Sequence, residues 1–250
     1  LLKNIVKYNI VIIGLGLNFN KSILEKAKNL KIIATITTGL DHIDLKVAKK
    51  LGIEVISLKE DIDFLRTITG TAELAFGLLL DLVRNISISF ESVKQYEWDR
   101  EKFKGNNLAD KTLGILGYGR LGKMMAQYGK AFGMNIIVCD PYVESIGIEN
   151  VNFEVFLQKS DVISIHVHLN DETINMFDVS AFKKMKKTAC LINTSRGKII
   201  NEKDVLKALE YKEISGYATD VLDGELDFTE NGVESSLIDY AKKNKNMIIT

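Results

Sequence analysis

The sequence predicts an α/β protein: a doubly wound parallel sheet preceded by a second, smaller α/β unit. Three observations carry that reading. From Thr112 onward, short runs rich in Val, Ile and Leu alternate with helical segments. The apolar positions in those runs are nearly continuous, as in parallel strands buried on both faces. The first run also leads directly into a glycine-patterned turn and an amphipathic helix.

In the first unit, residues 9–13, 31–35 and 54–57 read as strands, and 22–29 and 45–51 as helices. The second helix is capped by Asp44 and stopped by Gly52. A longer helical stretch from near Thr71, through Ala75, Leu78, Leu79, Leu82 and Val83, joins the units. The boundary is set near residue 80, dividing the chain into 1–80 and 81–250. In the second unit, strands are expected over 112–116, 135–139, 161–165, 188–193, 215–221 and 246–249. Leu121, Met124, Met125, Tyr128 and Phe132 form one helical stripe, closed by Gly133. Ser180 and Asn201 are the expected N-caps of two later helices.

Composition narrows the function classes. Thirty-three basic residues balance thirty-three acidic ones, so no net field favours nucleic acid or a membrane surface. The run Lys183-Lys184-Met185-Lys186-Lys187 reads as a solvated helix end. Cys139 and Cys190 both lie in apolar runs, with no framework of paired cysteines and no metal-ligand spacing. A reducing cytoplasm is therefore expected, and no metal. No apolar stretch in the sequence approaches the ~20 residues that span a bilayer. The opening Leu1-Leu2-Lys3-Asn4 has neither an initiator Met nor a signal-peptide pattern, so the chain is expected to begin inside a longer polypeptide.

The richest motif is Gly117-Tyr118-Gly119-Arg120-Leu121-Gly122. It follows a strand and opens a helix, the context a dinucleotide fingerprint requires. Gly117 permits the tight turn, Gly119 lets backbone approach a pyrophosphate, and Gly122 lets helix pack on strand. The helix N-terminus offers free N–H groups to the phosphates. Eighteen residues past Gly122, at the end of the next strand, stands Asp140. A carboxylate there accepts the adenosine ribose hydroxyls and repels a 2′-phosphate, which favours NAD over NADP. The alternative is a glycine turn with a solvent-facing acid. An earlier lookalike, Gly14-Leu15-Gly16-Leu17-Asn18-Phe19, lacks the third glycine and the closing acid, and reads as an ordinary turn.

Three further stretches belong with this motif: Thr37-Thr38-Gly39-Leu40-Asp41-His42-Ile43-Asp44, Thr71-Ala72-Glu73-Leu74-Ala75-Phe76-Gly77-Leu78-Leu79-Leu80, and Leu191-Ile192-Asn193-Thr194-Ser195-Arg196-Gly197. Together with Asp220-Val221-Leu222-Asp223-Gly224-Glu225, they make the chain resemble the D-isomer-specific 2-hydroxyacid dehydrogenases over nearly its whole length.

The resemblance implies a Rossmann sheet over 81–250 that binds NAD, and a smaller flavodoxin-like substrate domain over 1–80. It implies hydride transfer between a small D-2-hydroxy acid and its 2-oxo acid, in a protein that commonly dimerises. Arg196 takes the role of substrate clamp, which suits a planar guanidinium. Glu225 takes that of partner to the acid/base histidine. Asp220 binds the nicotinamide carboxamide, Thr194 and Ser195 lie near the nicotinamide ribose, and Arg120 and Leu121 lie against the pyrophosphate. Backbone groups near Thr38, Gly39 and Leu40 hold the substrate carboxylate. By composition alone, Arg196 reads equally as a structural ion-pair partner and Glu225 as a solvated loop acid.

The chain also departs from the family's pattern. The family places its acid/base histidine in a Pro-His pair after the last strand of this domain, and here that strand ends the sequence at Thr250. A chain truncated at both ends is the expectation, and such a chain lacks its proton donor. His42 occupies a position that does no chemistry in the family, while His166 and His168 flank Val167 at a strand end. His168 stands where the family has proline, and Leu226 where proline usually follows the glutamate. Phosphoglycerate-specific members carry arginines around the turn matching Gly14-Leu15-Gly16, and none is present. The expectation is therefore an NAD-dependent dehydrogenase of a small unphosphorylated substrate. The alternatives are an NAD(H)-sensing scaffold or an inactive NAD-binding fragment.

Overall fold

Each short β-branched run forms a strand, and each amphipathic stretch forms a helix packed on a sheet. The computed structural model describes residues 4–143, 147–225 and 235–250. Two compact units divide the chain between Ile68 and Thr69.

The first unit holds a parallel sheet of β1 (Ile10–Ile13), β2 (Ile32–Thr35) and β3 (Glu54–Ser57), in that order. Its helices are α1 (Lys21–Lys26), α2 (Leu45–Lys50) and α3 (Ile62–Arg66). Asp44 caps α2 as expected, accepting the Val47 N–H at 3.0 Å. Ile13, Phe19, Leu24, Ile33, Ile43 and Ala48 make the core. Gly14-Leu15-Gly16 is a turn after β1 that opens no helix.

The second unit begins with α4 (Gly70–Arg84) and α5 (Ile86–Lys94). The sequence placed the unit boundary near residue 80, partway along α4. In the structure Ala75, Phe76, Leu79 and Val83 of α4 pack with Leu113, Ile115, Met125 and Ile192, so the whole helix belongs to this core. Burial of one helical face, rather than any linker composition, sets the division.

The described strands of this unit form a seven-stranded parallel sheet, ordered β10-β9-β8-β7-β4-β5-β6. They are β4 (Thr112–Leu116), β5 (Asn135–Cys139), β6 (Glu149–Asn150), β7 (Val162–Ile165), β8 (Cys190–Asn193), β9 (Gly216–Thr219) and β10 (Met247–Ile249). The helices between them are α6 (Arg120–Ala131), α7 (Phe153–Lys159), α8 (Val179–Lys184), α9 (Glu202–Glu210) and α10 (Ser236–Ala241). Six of the strands were legible. The seventh, β6, spans two exposed residues and carries no apolar signal.

Successive residues of each strand feed opposite cores. Ile163 and Ile165 join Phe156, Phe177 and Phe182 on one face, while Val162 joins the α4–α6 cluster on the other. From β4 the chain builds outward through β5 and β6, then returns to lay β7 against the other side of β4. Open parallel sheets bind ligands at the carboxyl ends of strands beside such a reversal.

One helix cap differs from expectation. Asp178, not Ser180, caps α8, accepting the Ala181 N–H at 2.9 Å. Ser180 lies inside the first turn. Asn201 caps α9 as expected, at 3.2 Å from the Asp204 N–H.

Asp161 ties the opposite, amino ends of three strands together. Its carboxylate accepts the Thr112 N–H and the Lys186 ammonium, each at 2.9 Å, and its carbonyl accepts the Cys190 N–H at 3.0 Å. Burial alone would raise its pKa, but the Thr112 N–H and Lys186 outweigh burial and lower it. Asp161→Ala is expected to cost about 1–3 kcal/mol, because the Thr112 N–H loses its carboxylate partner. Lys186→Met should cost less, its partner remaining hydrogen-bonded to backbone. Urea midpoints of the two variants check the ranking.

Candidate functional site

The β4–α6 turn fixes the first part of the site. Gly117 adopts φ +87°, and a Cβ there would lie 2.7 Å from the His166 carbonyl oxygen. A Cβ on Gly122 would lie 2.2 Å from the Gly117 carbonyl oxygen. These two glycines let strand, turn and helix close on one another. Gly119 is different: nothing lies within 4 Å of where its Cβ would be. It is the N-cap of a twelve-residue helix and supplies no capping side chain, so the first N–H groups of α6 face that open side.

Asp140 stands at the end of β5, beside the turn. Its Oδ2 accepts the Tyr118 N–H at 2.7 Å and its Oδ1 the Tyr142 N–H at 2.9 Å. Each carboxylate oxygen keeps a second lone pair for a ligand hydroxyl. Asn150 on β6 holds the loop in place. Its amide accepts the Asp140 N–H at 3.2 Å and donates to the carbonyls of Asp140 and Val143, each at 2.9 Å. Sequence reasoning missed Asn150, since an exposed asparagine on an edge strand carries no pattern.

The remaining side chains come from the ends of β7, β8 and β9. The Ser195 hydroxyl donates to the Ile165 carbonyl at 2.8 Å, pinning the β8 loop to the β7 end. Asn193 accepts the Ser195 N–H and donates to the Arg196 carbonyl, both at 3.0 Å. The Arg196 guanidinium donates to the Ser195 carbonyl at 2.7 Å. Gly197 packs so tightly that a Cβ would lie 2.2 Å from the Leu222 carbonyl carbon. That contact presses the Arg196 loop onto the loop bearing Asp220 and Glu225. Glu225 in turn accepts the Leu222 N–H at 2.8 Å.

Electrostatics follow from this packing. Burial raises the Asp220 pKa, the Glu225 charge raises it further, and Arg196 pulls it back. Burial also raises Glu202, which accepts the Asp223 N–H at 2.8 Å. His166 donates to or accepts from the Ser164 hydroxyl at 2.8 Å through Nε2, and burial pushes its pKa down to about 4. It is a neutral imidazole at physiological pH. Leu226 lies outside the described residues.

Thr194 Oγ1, Asp220 Oδ1 and His166 Nδ1 are buried and have no hydrogen-bond partner among the described residues. Such groups are costly unless something satisfies them. Thr194 and Asp220 stand on neighbouring strand ends, at the position expected for a nicotinamide. With the open side of Gly119 and the lone pairs of Asp140, the chain's residues fit a dinucleotide.

The other expected site residues, Thr38, Gly39 and Leu40, belong to the first unit. They form a turn at the carboxyl end of β2, held by Thr37 Oγ1 bonding Thr35 Oγ1 and donating to the Gly39 carbonyl, each at 2.8 Å. The described residues contain no cluster of three or more His, Cys, Asp or Glu able to hold a metal ion. No described helix is long and apolar enough to cross a membrane.

Residues 76–250 match the family model for the D-isomer specific 2-hydroxyacid dehydrogenase, NAD binding domain. The chain is 36% identical over 231 residues to D-3-phosphoglycerate dehydrogenase of Methanocaldococcus jannaschii, covering 90% of this chain and 43% of that protein. It is 40% identical over 223 residues to glyoxylate reductase of Thermococcus litoralis, covering 84% of this chain and 66% of that protein. The chain thus spans less than half the length of the first relative and about two thirds of the second. Among solved structures, D-lactate dehydrogenase from Aquifex aeolicus, complexed with NAD and lactic acid, superimposes with a TM-score of 0.87 at 30% identity. That match covers all of this chain and 77% of the other.

Two measurements check this geometry. Gly119→Ala should keep wild-type thermal stability yet weaken NADH at least about tenfold in a fluorescence titration, because its methyl enters only the open space. Gly122→Ala should weaken both stability and binding. His166 sets a pH dependence. Its pKa is about 6.5 unfolded and about 4 folded, so the unfolded chain binds the proton first as pH falls. Its contribution is complete above about pH 6.5 and shrinks at about 1.4 kcal/mol per unit down to about pH 4. Urea unfolding from pH 7 to 5 should show a steeper loss in wild type than in His166→Gln.

Proposed function

This chain belongs to the D-isomer specific 2-hydroxyacid dehydrogenase family, with its NAD binding domain over residues 76–250, and we propose that its protein interconverts a small unphosphorylated D-2-hydroxy acid and its 2-oxo acid. The observation that carries the reading is the pair of unsatisfied buried atoms, Thr194 Oγ1 and Asp220 Oδ1, at the ends of the neighbouring strands β8 and β9, beside Arg196.

Bound NADH supplies the hydride for reduction of the carbonyl carbon. The chain's own residues do the rest. Asp140 accepts the adenosine ribose hydroxyls, and the absence of a cation in Pro141-Tyr142 leaves a 2′-phosphate unpaired. The first N–H groups of α6, with Arg120 and Leu121, face the pyrophosphate. Thr194 and Ser195 border the nicotinamide ribose, and Asp220 Oδ1 accepts from the carboxamide.

Arg196 grips the substrate's carboxylate and carbonyl oxygen, drawing electron density from the carbon that receives hydride. In the first unit, the Thr38–Gly39–Leu40 turn offers backbone N–H groups to a substrate carboxylate. Reduction also needs a proton at the carbonyl oxygen. Glu225 is placed to orient an acid and favour its charged form. His166 does not serve as that acid, because its Nε2 bonds Ser164, its Nδ1 is buried, and its pKa is about 4.

A small substrate is favoured over a phosphorylated one because residues 8–20, around the first-unit turn, contain no lysine or arginine. The buried free thiols Cys139 and Cys190, with pKa values raised by burial, accord with cytoplasmic residence. We also infer a homodimer. Ile86, Phe90 and Val93 form one exposed stripe on α5, which buries none of its residues, and Trp98 beyond it is 74% exposed. A second copy covers such a stripe without new chemistry.

The full-length protein, assayed with NADH and a panel of 2-oxo acids, should reduce glyoxylate or a near homologue and leave 3-phosphohydroxypyruvate untouched. Arg196→Ala should lower kcat/KM by two to three orders of magnitude, with NADH affinity unchanged, as loss of a charged transition-state contact requires. NADH binding without turnover of any 2-oxo acid would favour a dinucleotide-sensing scaffold instead. Phe90→Glu should convert a dimer to monomer in light scattering, and a wild-type monomer would remove that inference.

A further inference from the structure

Glu202 is a partly buried carboxylate that the proposed chemistry leaves unused. It is the first residue of α9, but Asn201, not Glu202, caps that helix. Burial raises the Glu202 pKa, so its position costs the charged form something. What the carboxylate gains there is a backbone contact: Oε1 accepts the Asp223 N–H at 2.8 Å. Asp223 belongs to the loop that carries Asp220 and Glu225, twenty-one residues along the chain from Glu202.

The peptide joining Leu222 to Asp223 is the centre of this arrangement. Gly197 lies over its face, where a Cβ would collide with the Leu222 carbonyl group and the Asp223 nitrogen. Face contact of that kind sets a distance but leaves the peptide plane free to turn. Hydrogen bonds are directional and remove that freedom. At the oxygen end, the Glu225 N–H reaches the Leu222 carbonyl at 3.4 Å, beyond the best range for such a bond. At the nitrogen end, the Glu202 bond is short and charge-assisted, and it is anchored in a helix. One peptide earlier, the Leu222 N–H donates to Glu225 Oε2 at 2.8 Å. Two consecutive N–H groups are thus each taken by a carboxylate, one from within the loop and one from α9. The Glu225 carboxylate hangs on the same stretch of backbone that Glu202 holds.

We propose that Glu202 is a positioning residue, acting through the Leu222–Asp223 peptide to hold the Glu225 carboxylate where it partners the acid. The inference rests on the reading of Glu225 as that partner. With Oε2 tied to the Leu222 N–H, Glu225 keeps Oε1 for the acid. Turning the peptide moves the Leu222 N–H and releases that oxygen pair from its orientation. The other charges around this loop are Asp220, Asp223, Arg196 and Lys198. Lys198 lies 3.9 Å from Asp223 Oδ1, and both side chains are about half exposed, so that pair holds the loop weakly.

Three substitutions in the full-length protein separate the bond from the charge. Glu202→Leu removes both, Glu202→Gln keeps an acceptor oxygen without the charge, and Glu202→Asp keeps the charge one methylene short of the contact. Asn201 still caps α9 in each, so the fold should persist. The first readout is backbone amide exchange at Leu222, since Asp223 loses its own acceptor whatever else happens. Exchange at Leu222 should accelerate about five- to tenfold in Glu202→Leu and Glu202→Asp, stay near wild type in Glu202→Gln, and leave Ile163 unchanged. The second readout is the pH profile of kcat/KM for 2-oxo acid reduction. The acid works protonated and the Glu225 charge raises its pKa, so activity falls as pH rises through that value. In Glu202→Leu the fall should come about half a pH unit lower, with NADH affinity unchanged, and Glu202→Gln should restore it. Wild-type Leu222 exchange or an unmoved fall in Glu202→Leu overturns the proposal. So does a Glu202→Gln variant that behaves like Glu202→Leu, which would assign the effect to charge at the helix start. Glu225→Gln tests the reading beneath: a fall that this variant does not move overturns Glu225 as the acid's partner, and the inference with it.

Discussion

The site depends on how closely backbone can approach backbone. Gly122 sits on the Gly117 carbonyl, Gly117 on the His166 carbonyl, and Gly197 on the Leu222 carbonyl carbon, each at a distance no side chain tolerates. These contacts draw the ends of β4, β7 and β8 and the loop after β9 onto one edge of the sheet. Everything polar at that edge is placed by them. The parallel ladder supplies strand ends, but the glycines decide how near one end's chemistry lies to the next.

Within that frame the charges are balanced locally. Asp220 is raised by burial and by Glu225, and Arg196 partly offsets both. A carboxylate so placed gains from a hydrogen-bond donor aimed at its free oxygen. Arg196 meanwhile spends one donor on the Ser195 carbonyl, which orients the guanidinium before any ligand arrives. Pre-orientation of this kind lowers the entropy lost when a carboxylate binds.

Much of this was legible in the sequence for identifiable reasons. Strands buried on both faces have to be continuously apolar, so six of the seven described strands of the larger sheet announced themselves. The fingerprint glycines were readable because their conformational demands leave few other residues possible. The end of the first unit was not readable, because α4 carries the same amphipathic pattern whichever core it joins. The cap of α8 was misread because Ser180 and Asp178 are both good caps, and only the hydrogen bond to Ala181 separates them. Asn150 was invisible because it is an exposed amide on a two-residue strand.

The two halves of the edge differ in what a lineage can alter. Asp140 is held by Asn150 from the outermost strand, whose two residues are both exposed. Changing that acid and its loop disturbs little else, so preference between the two nicotinamide dinucleotides can drift or be selected with small collateral damage. Arg196 is tied through Asn193 and Gly197 to the buried end of β8 and the loop after β9. Evolution can therefore alter the Asp140 end of this edge far more readily than the Arg196 end, where the proposed grip on an acid resides.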